Sequence, residues 1–197
     1  ISNIVMLETG QPMHFYDMYA LSSLEITVKD HLHTTYTALD GVDYDICEDD
    51  IMITNQGNPI GIAGIMGGND SKIEETTTAI VLEAAIFDHV SIRNTARRLN
   101  LNTDASVRYQ KGIEPDATYK AMDRAVSLLL EYADADGLED MVIYGGVDNT
   151  PHTFSVSLPR INRLLGTDFA MDEVLDVCSR LHLQPKQNGN EIALCIP

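Results

Sequence analysis

The hydrophobic period changes once along this chain, and that change constrains the fold more than any single motif. Leu24–Lys29 (LEITVK) alternates apolar and polar residues, the two-residue period of a half-buried strand. Thr34–Leu39 (TTYTAL) is strand-like in composition, and Asp40-Gly41 marks a turn before the next extended piece. Ile51–Thr54, Pro59–Met66 and Ala79–Ala85 continue a series of short strands. From Asp88 the pattern becomes helical. Asp88 is placed to cap a helix carrying Val90, Ile92, Thr95 and Leu99. Glu114-Pro115-Asp116 opens a longer helix, with Ala117, Met122, Ala125, Leu128, Leu129 and Tyr132 on its apolar side and Gly137 at its end. Met141–Tyr144 (MVIY) then returns to strand character. A helix over Ser2–Glu8, closed by Gly10, precedes the whole series. Strands followed by helices and a further strand predict an α+β fold, with layered mixed or antiparallel β-sheets and helices packed on one side.

A second unit is expected after Gly145-Gly146 and Asn149-Thr150-Pro151, dividing the chain into domains at 1–147 and 148–197. Thr153–Leu158 reads as a strand, Pro159–Leu165 and Met171–Leu181 as helices, with Asp168 as a cap, and Glu191–Ile196 as a last strand. This small α/β unit reads as partial. Together with Ile1 at the first position, it suggests a piece of a longer polypeptide. At 44% hydrophobic residues the chain has material for a true core. No run approaches the ~20 apolar residues of a membrane helix, and no signal peptide is recognisable. Cys47, Cys178 and Cys195 form no CxxC pair, which fits a reducing cytoplasmic setting.

The net charge of −17 argues against a free-standing nucleic-acid binder, because phosphate contacts need cations. The cations are nevertheless uneven. Seven of thirteen lie between residues 93 and 124: Arg93, Arg97, Arg98, Arg108, Lys111, Lys120 and Arg124. They form either a solvated helix surface or a local path for a phosphate backbone anchored elsewhere.

Candidate chemistry concentrates between Gly57 and Arg108. Five of thirteen glycines fall within Gly57–Gly68. Their order is GxxGxxGG, which matches neither a dinucleotide fingerprint nor a P-loop. No HExxH or GxSxG occurs, and no metal site is indicated. What remains is a pocket kit. His14 offers an imidazole, Gly67 and Gly68 offer backbone N–H groups, and Thr103, Asp104 and Ser106 offer short polar groups at a turn. Glu83 is an acid inside an apolar run, which is costly unless something pairs with it. It reads either as a ligand group or as an edge-strand acid paired to an arginine. Thr103–Ser106 reads either as pocket wall or as a helix cap.

Four segments carry a resemblance: MLETGQPMHFYD (6–17), GIAGIMGGNDS (61–71), VLEAAIFD (81–88) and LNTDASVRYQKGIEP (101–115). In order and spacing they resemble the editing domain of bacterial phenylalanine–tRNA ligase beta subunits, over about residues 1–147. The tail, FSVSLPRINRLLGT with MDEVLDVCSRLHL, resembles the beginning of that subunit's next domain. The resemblance implies a site that hydrolyses tyrosine mistakenly attached to tRNA(Phe). It implies that Glu83 accepts the tyrosine hydroxyl and that the Gly67 backbone lies against the ring. It places His14 near the ester, with Ser2 and Asn3 as a polar pair beside it, and Thr103 and Ala105 in the pocket. Phe15-Tyr16 stands where Ala-Phe is common in the family, and Ile4 where Tyr is common. The implied partners are the tRNA(Phe) acceptor end and an alpha subunit in a heterotetramer, with no membrane. No cofactor is implied for deacylation, and ATP and Mg2+ belong to the complete synthetase. A non-catalytic amino-acid- or tRNA-binding module, or a structural unit of the heterotetramer, is the alternative.

Overall fold

The computed structural model describes residues 1–146 and 150–196. The chain forms two compact units, Ile1–Met141 and Val142–Pro197. The boundary expected at 147/148, and Asn149 of the expected turn, lie outside the described residues.

The first unit opens with helix α1 (Ser2–Thr9), which Gly10 ends in the left-handed region at φ 80°. Strand β1 (Met13–Asp17) follows, then a 3₁₀ turn at Met18–Ala20. Strands β2 (Ile26–Lys29), β3 (Thr34–Thr37), β4 (Asp43–Ile46), β5 (Met52–Asn55), β6 (Asn58–Ile62), β7 (Met66–Gly67) and β8 (Ile80–Ala84) come next. All their pairings are antiparallel. β2, β5, β6 and β7 make a four-stranded sheet, β3 and β4 a hairpin, and β1 and β8 a two-stranded ribbon.

Helix α2 (His89–Leu99) begins at Asp88, whose carboxylate accepts the Ser91 N–H at 2.8 Å. Arg97 and Arg98 occupy its last turn, where cations suit the helix dipole. Helix α3 (Asp104–Tyr109) is opened by a reciprocal Thr103–Ser106 capping box. Helix α4 (Pro115–Tyr132) buries Ala117, Ala121, Ala125 and Leu128 as one stripe. It ends at Tyr132 rather than at Gly137, and Tyr132 itself is exposed. Met141–Tyr144 is not a strand. It is exposed, with Tyr144 fully so, because no neighbouring strand offers it a ladder.

The β1–β8 ribbon is the element that positions the site. Its residues alternate between two buried faces. Met13, Phe15 and Leu82 pack with Val5 of α1 and with Ala121, Ala125 and Leu128 of α4. Tyr16 and Val81 face the larger core, which Tyr36, Met52, Ile62, Ile92, Ala96 and Tyr109 share.

The second unit holds β9 (His152–Ser157), α5 (Leu158–Leu165), α6 (Met171–Arg180), β10 (Lys186–Asn188) and β11 (Glu191–Ile196). Its three strands pair antiparallel in the order β10-β11-β9 around buried Ile192, Leu194 and Cys178. Asp168 is not the cap of α6. That helix starts after Ala170, whose N–H is taken by Glu173 at 2.8 Å. No helix among the described residues is long and apolar enough to cross a membrane.

Candidate functional site

The ribbon register sets His14 directly opposite Glu83. Two residues sixty-nine positions apart in sequence thereby share one face, and Tyr16, two residues after His14, shares it too. The Tyr16 and His14 rings meet edge to face, with centroids 4.5 Å apart. The Tyr16 hydroxyl donates to Glu83 Oε2. The acid inside the apolar strand is therefore paired to a tyrosine and not to an arginine. Among the described residues nothing hydrogen-bonds Glu83 Oε1, which keeps some accessible surface on a side chain that lines the cavity.

Gly67 of β7 lies against the His14 ring. A Cβ there would fall 2.2 Å from Cε1 and 2.5 Å from Nε2. Gly67 has no positive φ, so the requirement is space rather than backbone conformation. A Cβ on Gly68 would fall 2.0 Å from the Tyr36 hydroxyl. The Gly68 N–H is committed to the Ile60 carbonyl at 3.0 Å and is not free for a ligand.

These groups border a cavity of about 70 Å³, lined by His14, Tyr16, Gly67, Glu83, Ala105 and Tyr109 among others. At 10–15 Å³ per water it holds about five to seven waters, the scale of one amino-acid side chain. Beneath it, Gln11 is fully buried, and its Nε2 donates to the carbonyls of Pro12 at 2.8 Å and Ala85 at 3.0 Å. The Tyr109 hydroxyl donates to the same Ala85 carbonyl at 3.0 Å, and Thr118 closes the network on Gln11 Oε1 at 2.8 Å. This network ties the strand ends of the ribbon to α3 and α4.

Burial drives the electrostatics. It lowers the His14 pKa to about 4, so the imidazole is neutral at pH 7, and its buried Nε2 has no hydrogen-bond partner. Glu83 retains some accessible surface, yet its carboxylate is ringed by protein and burial raises its pKa; the Tyr16 hydrogen bond opposes that rise. Tyr16 is pushed upward by burial first and by the Glu83 carboxylate second.

Three expected site residues lie off the cavity wall. Ser2 and Asn3 sit on α1, which packs on the opposite face of the ribbon. Thr103 serves as the cap of α3. Its Oγ1 accepts from the Ser106 N–H at 3.1 Å and donates to the Ile65 carbonyl at 2.8 Å, pinning the glycine segment to the helix. Ala105, two residues on, reaches the wall. Tyr16, Tyr109 and Gln11 were absent from the expected set. For Tyr16 the available signal was its two-residue offset from His14 in an extended segment.

The basic cluster is mostly consumed internally. Arg93 donates to the Gln110 carbonyl at 2.6 Å, Arg98 pairs with buried Asp50, Arg108 donates to the Asp104 carbonyl at 2.7 Å, and Arg124 pairs with Glu8 at 2.7 Å. Among the described residues, Arg97, Lys111 and Lys120 have no such partner. No group of three or more His, Cys, Asp or Glu side chains is placed among them to hold a metal ion.

The antiparallel ribbon, the glycine segment and the capped α3 define a small domain with one side-chain-sized site. Residues 1–134 match the B3/4 domain, and the chain belongs to that family. Along its whole length it is also similar to phenylalanine–tRNA ligase beta subunits. It is 37% identical to that of Staphylococcus epidermidis and 38% identical to that of Staphylococcus aureus strain Mu50, covering 100% of this chain and 25% of each relative. The chain thus spans about a quarter of the length of these relatives. Among solved structures, an N-terminal fragment of the phenylalanyl-tRNA synthetase beta subunit from Pyrococcus horikoshii aligns at 12% identity with a TM-score of 0.47, over 100% of this chain and 58% of that one.

Proposed function

We propose that this chain is the editing part of a phenylalanine–tRNA ligase beta subunit, hydrolysing tyrosyl-tRNA(Phe). The observation that carries the reading is the register that faces His14 with Glu83 across one small cavity, leaving Glu83 Oε1 open. A tyrosine ring enters beside Gly67, and its hydroxyl meets Oε1. A phenylalanine ring leaves that buried oxygen unpaired, at a cost of about 1–3 kcal/mol or more. A site built to hydrogen-bond a hydroxyl rejects the analogue lacking it by roughly 10⁴. This inverts the problem of the charging reaction, whose apolar pocket excludes an added hydroxyl only weakly.

Hydrolysis adds water across the ester. The water oxygen bonds to the carbonyl carbon, the bond to the ribose oxygen breaks, and that oxygen takes the proton. A group with a pKa of about 4 accepts a proton from water poorly. His14 is accordingly assigned to orienting the water as a neutral imidazole on the cavity wall. Ser2 and Asn3, on the helix behind the ribbon, do not border the cavity and are given no step at the ester.

The partners in this reading are the tRNA(Phe) acceptor end and an alpha subunit, in the cytoplasm. The chain offers no phosphate loop and no acidic triad among its described residues. No step here is routed through the ATP or Mg2+ of the charging reaction. The charge of −17 and the internal pairing of four clustered cations favour one second reading, a module that binds tyrosine and hydrolyses nothing.

Deacylation of tyrosyl- and phenylalanyl-tRNA(Phe) by the complete enzyme tests both. Glu83→Ala, which removes both the acceptor and any donor, should collapse the preference for the tyrosyl ester. Tyrosine binding without hydrolysis supports the second reading, and an unchanged preference removes Glu83 as the hydroxyl reader.

A further inference from the structure

We infer that Tyr16 is a positioning residue for hydroxyl recognition: its phenol holds one oxygen of Glu83 so that the other is presented to the ligand's hydroxyl. The inference rests on the proposed reading of Glu83 and adds to it a residue in direct contact with both candidate groups.

The geometry supplies the argument. Tyr16 is 1% exposed and belongs to the main core, packed among the residues that hold the four-stranded sheet against α2 and α3. Its ring is therefore fixed, and its hydroxyl is a permanent neighbour of the carboxylate rather than a gate that swings aside. Among the described residues Glu83 makes a single side-chain hydrogen bond, and Tyr16 provides it. A carboxylate has two oxygens and about four lone-pair sites, so one donor leaves a defined vacancy. Because Tyr16 holds Oε2, the vacancy is Oε1.

A carboxylate free to rotate within a cavity would present either oxygen and would recognise a phenol with no fixed angle. Anchored at one oxygen, it accepts only along the remaining direction. The same Tyr16 ring packs edge-on against His14 at 4.5 Å. One side chain thus fixes the angle between the group that reads the ring hydroxyl and the imidazole beside the ester.

A competing account is possible on chemistry alone. The Tyr16 phenol resembles the ligand's own, so it could act as an internal competitor for Glu83. The two accounts predict opposite signs. Positioning makes Tyr16→Phe weaken discrimination; competition makes it strengthen discrimination. The burial of the ring and the open second oxygen favour positioning.

Tyr16→Phe keeps the ring and removes one oxygen, so the core packing is conserved. In the complete enzyme, the tyrosyl-over-phenylalanyl ratio of kcat/KM should fall about tenfold, the scale of one hydrogen bond to a charged group. The loss should appear mainly in KM for the tyrosyl ester, because the contact lies at the far end of the side chain. A purely structural role would reduce both esters in proportion and leave the ratio unchanged. In a Glu83→Ala background, Tyr16→Phe should change the ratio no further. A ratio that holds or rises in Tyr16→Phe, while Glu83→Ala abolishes it, overturns the inference and leaves the editing reading intact. A parent enzyme with no tyrosyl preference removes the editing reading itself. Should Tyr16→Phe fold poorly, Tyr16→Met at the same core position provides a second hydroxyl-free apolar replacement, read by the same ratio.

Discussion

Gly67→Ala isolates the contact between the glycine segment and His14. A Cβ at position 67 would lie 2.2 Å from His14 Cε1, 2.5 Å from Nε2 and 3.0 Å from Nδ1. Carbon atoms pack at about 3.5–4.0 Å, so something must retreat by about 1 Å or more. No backbone strain confuses the result, since Gly67 is not at positive φ. Two responses are available. The ring can stay while β7 shifts, which costs about 1–3 kcal/mol as overpacking. For a chain of this size that lowers Tm by about 2–12 °C. Alternatively the ring can turn toward water. The burial that holds its pKa near 4 is then relieved, and the pKa climbs toward the ordinary value of about 6.5. Thermal unfolding reads the first response, and proton NMR titration of the His14 Cε1–H reads the second. Gly137→Ala is the comparison: nothing lies within 4 Å of its Cβ and its φ is not positive. It should be neutral or stabilising by about 0.4–1 kcal/mol. A Gly67→Ala protein with both Tm and His14 titration unchanged would refute the close packing argued for this site.

His14→Gln should flatten the acid limb of the stability curve. His14 titrates near 4 when folded and near 6.5 when unfolded, so between those values the unfolded chain binds more protons. Stability from this group is therefore full above about pH 6.5 and falls as pH drops toward 4, by up to about 3 kcal/mol. Glu83, whose pKa is raised, acts in the opposite sense and is common to both proteins. Urea unfolding at pH 4.5 and pH 7 should show a smaller difference for His14→Gln than for the parent; equal differences would count against a buried neutral imidazole. Thr103→Val removes both the α3 cap and the bond to the Ile65 carbonyl. It should cost about 1–2 kcal/mol in chemical denaturation, and a cost near zero would mean that the cap is replaced by solvent.

Helix ends were legible wherever a short polar side chain or a glycine satisfied the terminal backbone groups. Gly10, Asp88 and Pro115 each stand where their chemistry indicates. The turn at Thr103–Ser106 carried two readings, and the capping one describes its side chains. β1 was hidden for a physical reason. MHFYD is apolar or aromatic on both faces because both faces are covered, one by α1 and α4 and the other by the main core. The two-residue alternation that reveals a strand requires one wet face. MVIY erred in the other direction: strand composition without a partner strand makes no ladder. The site divides along the same line. His14, Gly67, Glu83 and Ala105 could be named from local motifs, and all border the cavity. Which residue pairs with Glu83 depends on the β1–β8 register, a long-range property that no local window contains.

In the editing reading proposed above, that register lets the site read a hydroxyl without depending on charge. Burial acts on His14 and Glu83 in the same chemical direction, toward the neutral form of each. For the imidazole this yields a hydrogen-bonding group rather than a cation. For the acid, the Tyr16 phenol opposes the shift and fixes which oxygen remains available. A ligand phenol is both donor and acceptor, so it donates to an ionised Oε1 and accepts from a protonated one. A bare phenyl ring can do neither. In that reading the selectivity resides in the presence of one oxygen atom at one position, held by packing on both faces of the ribbon.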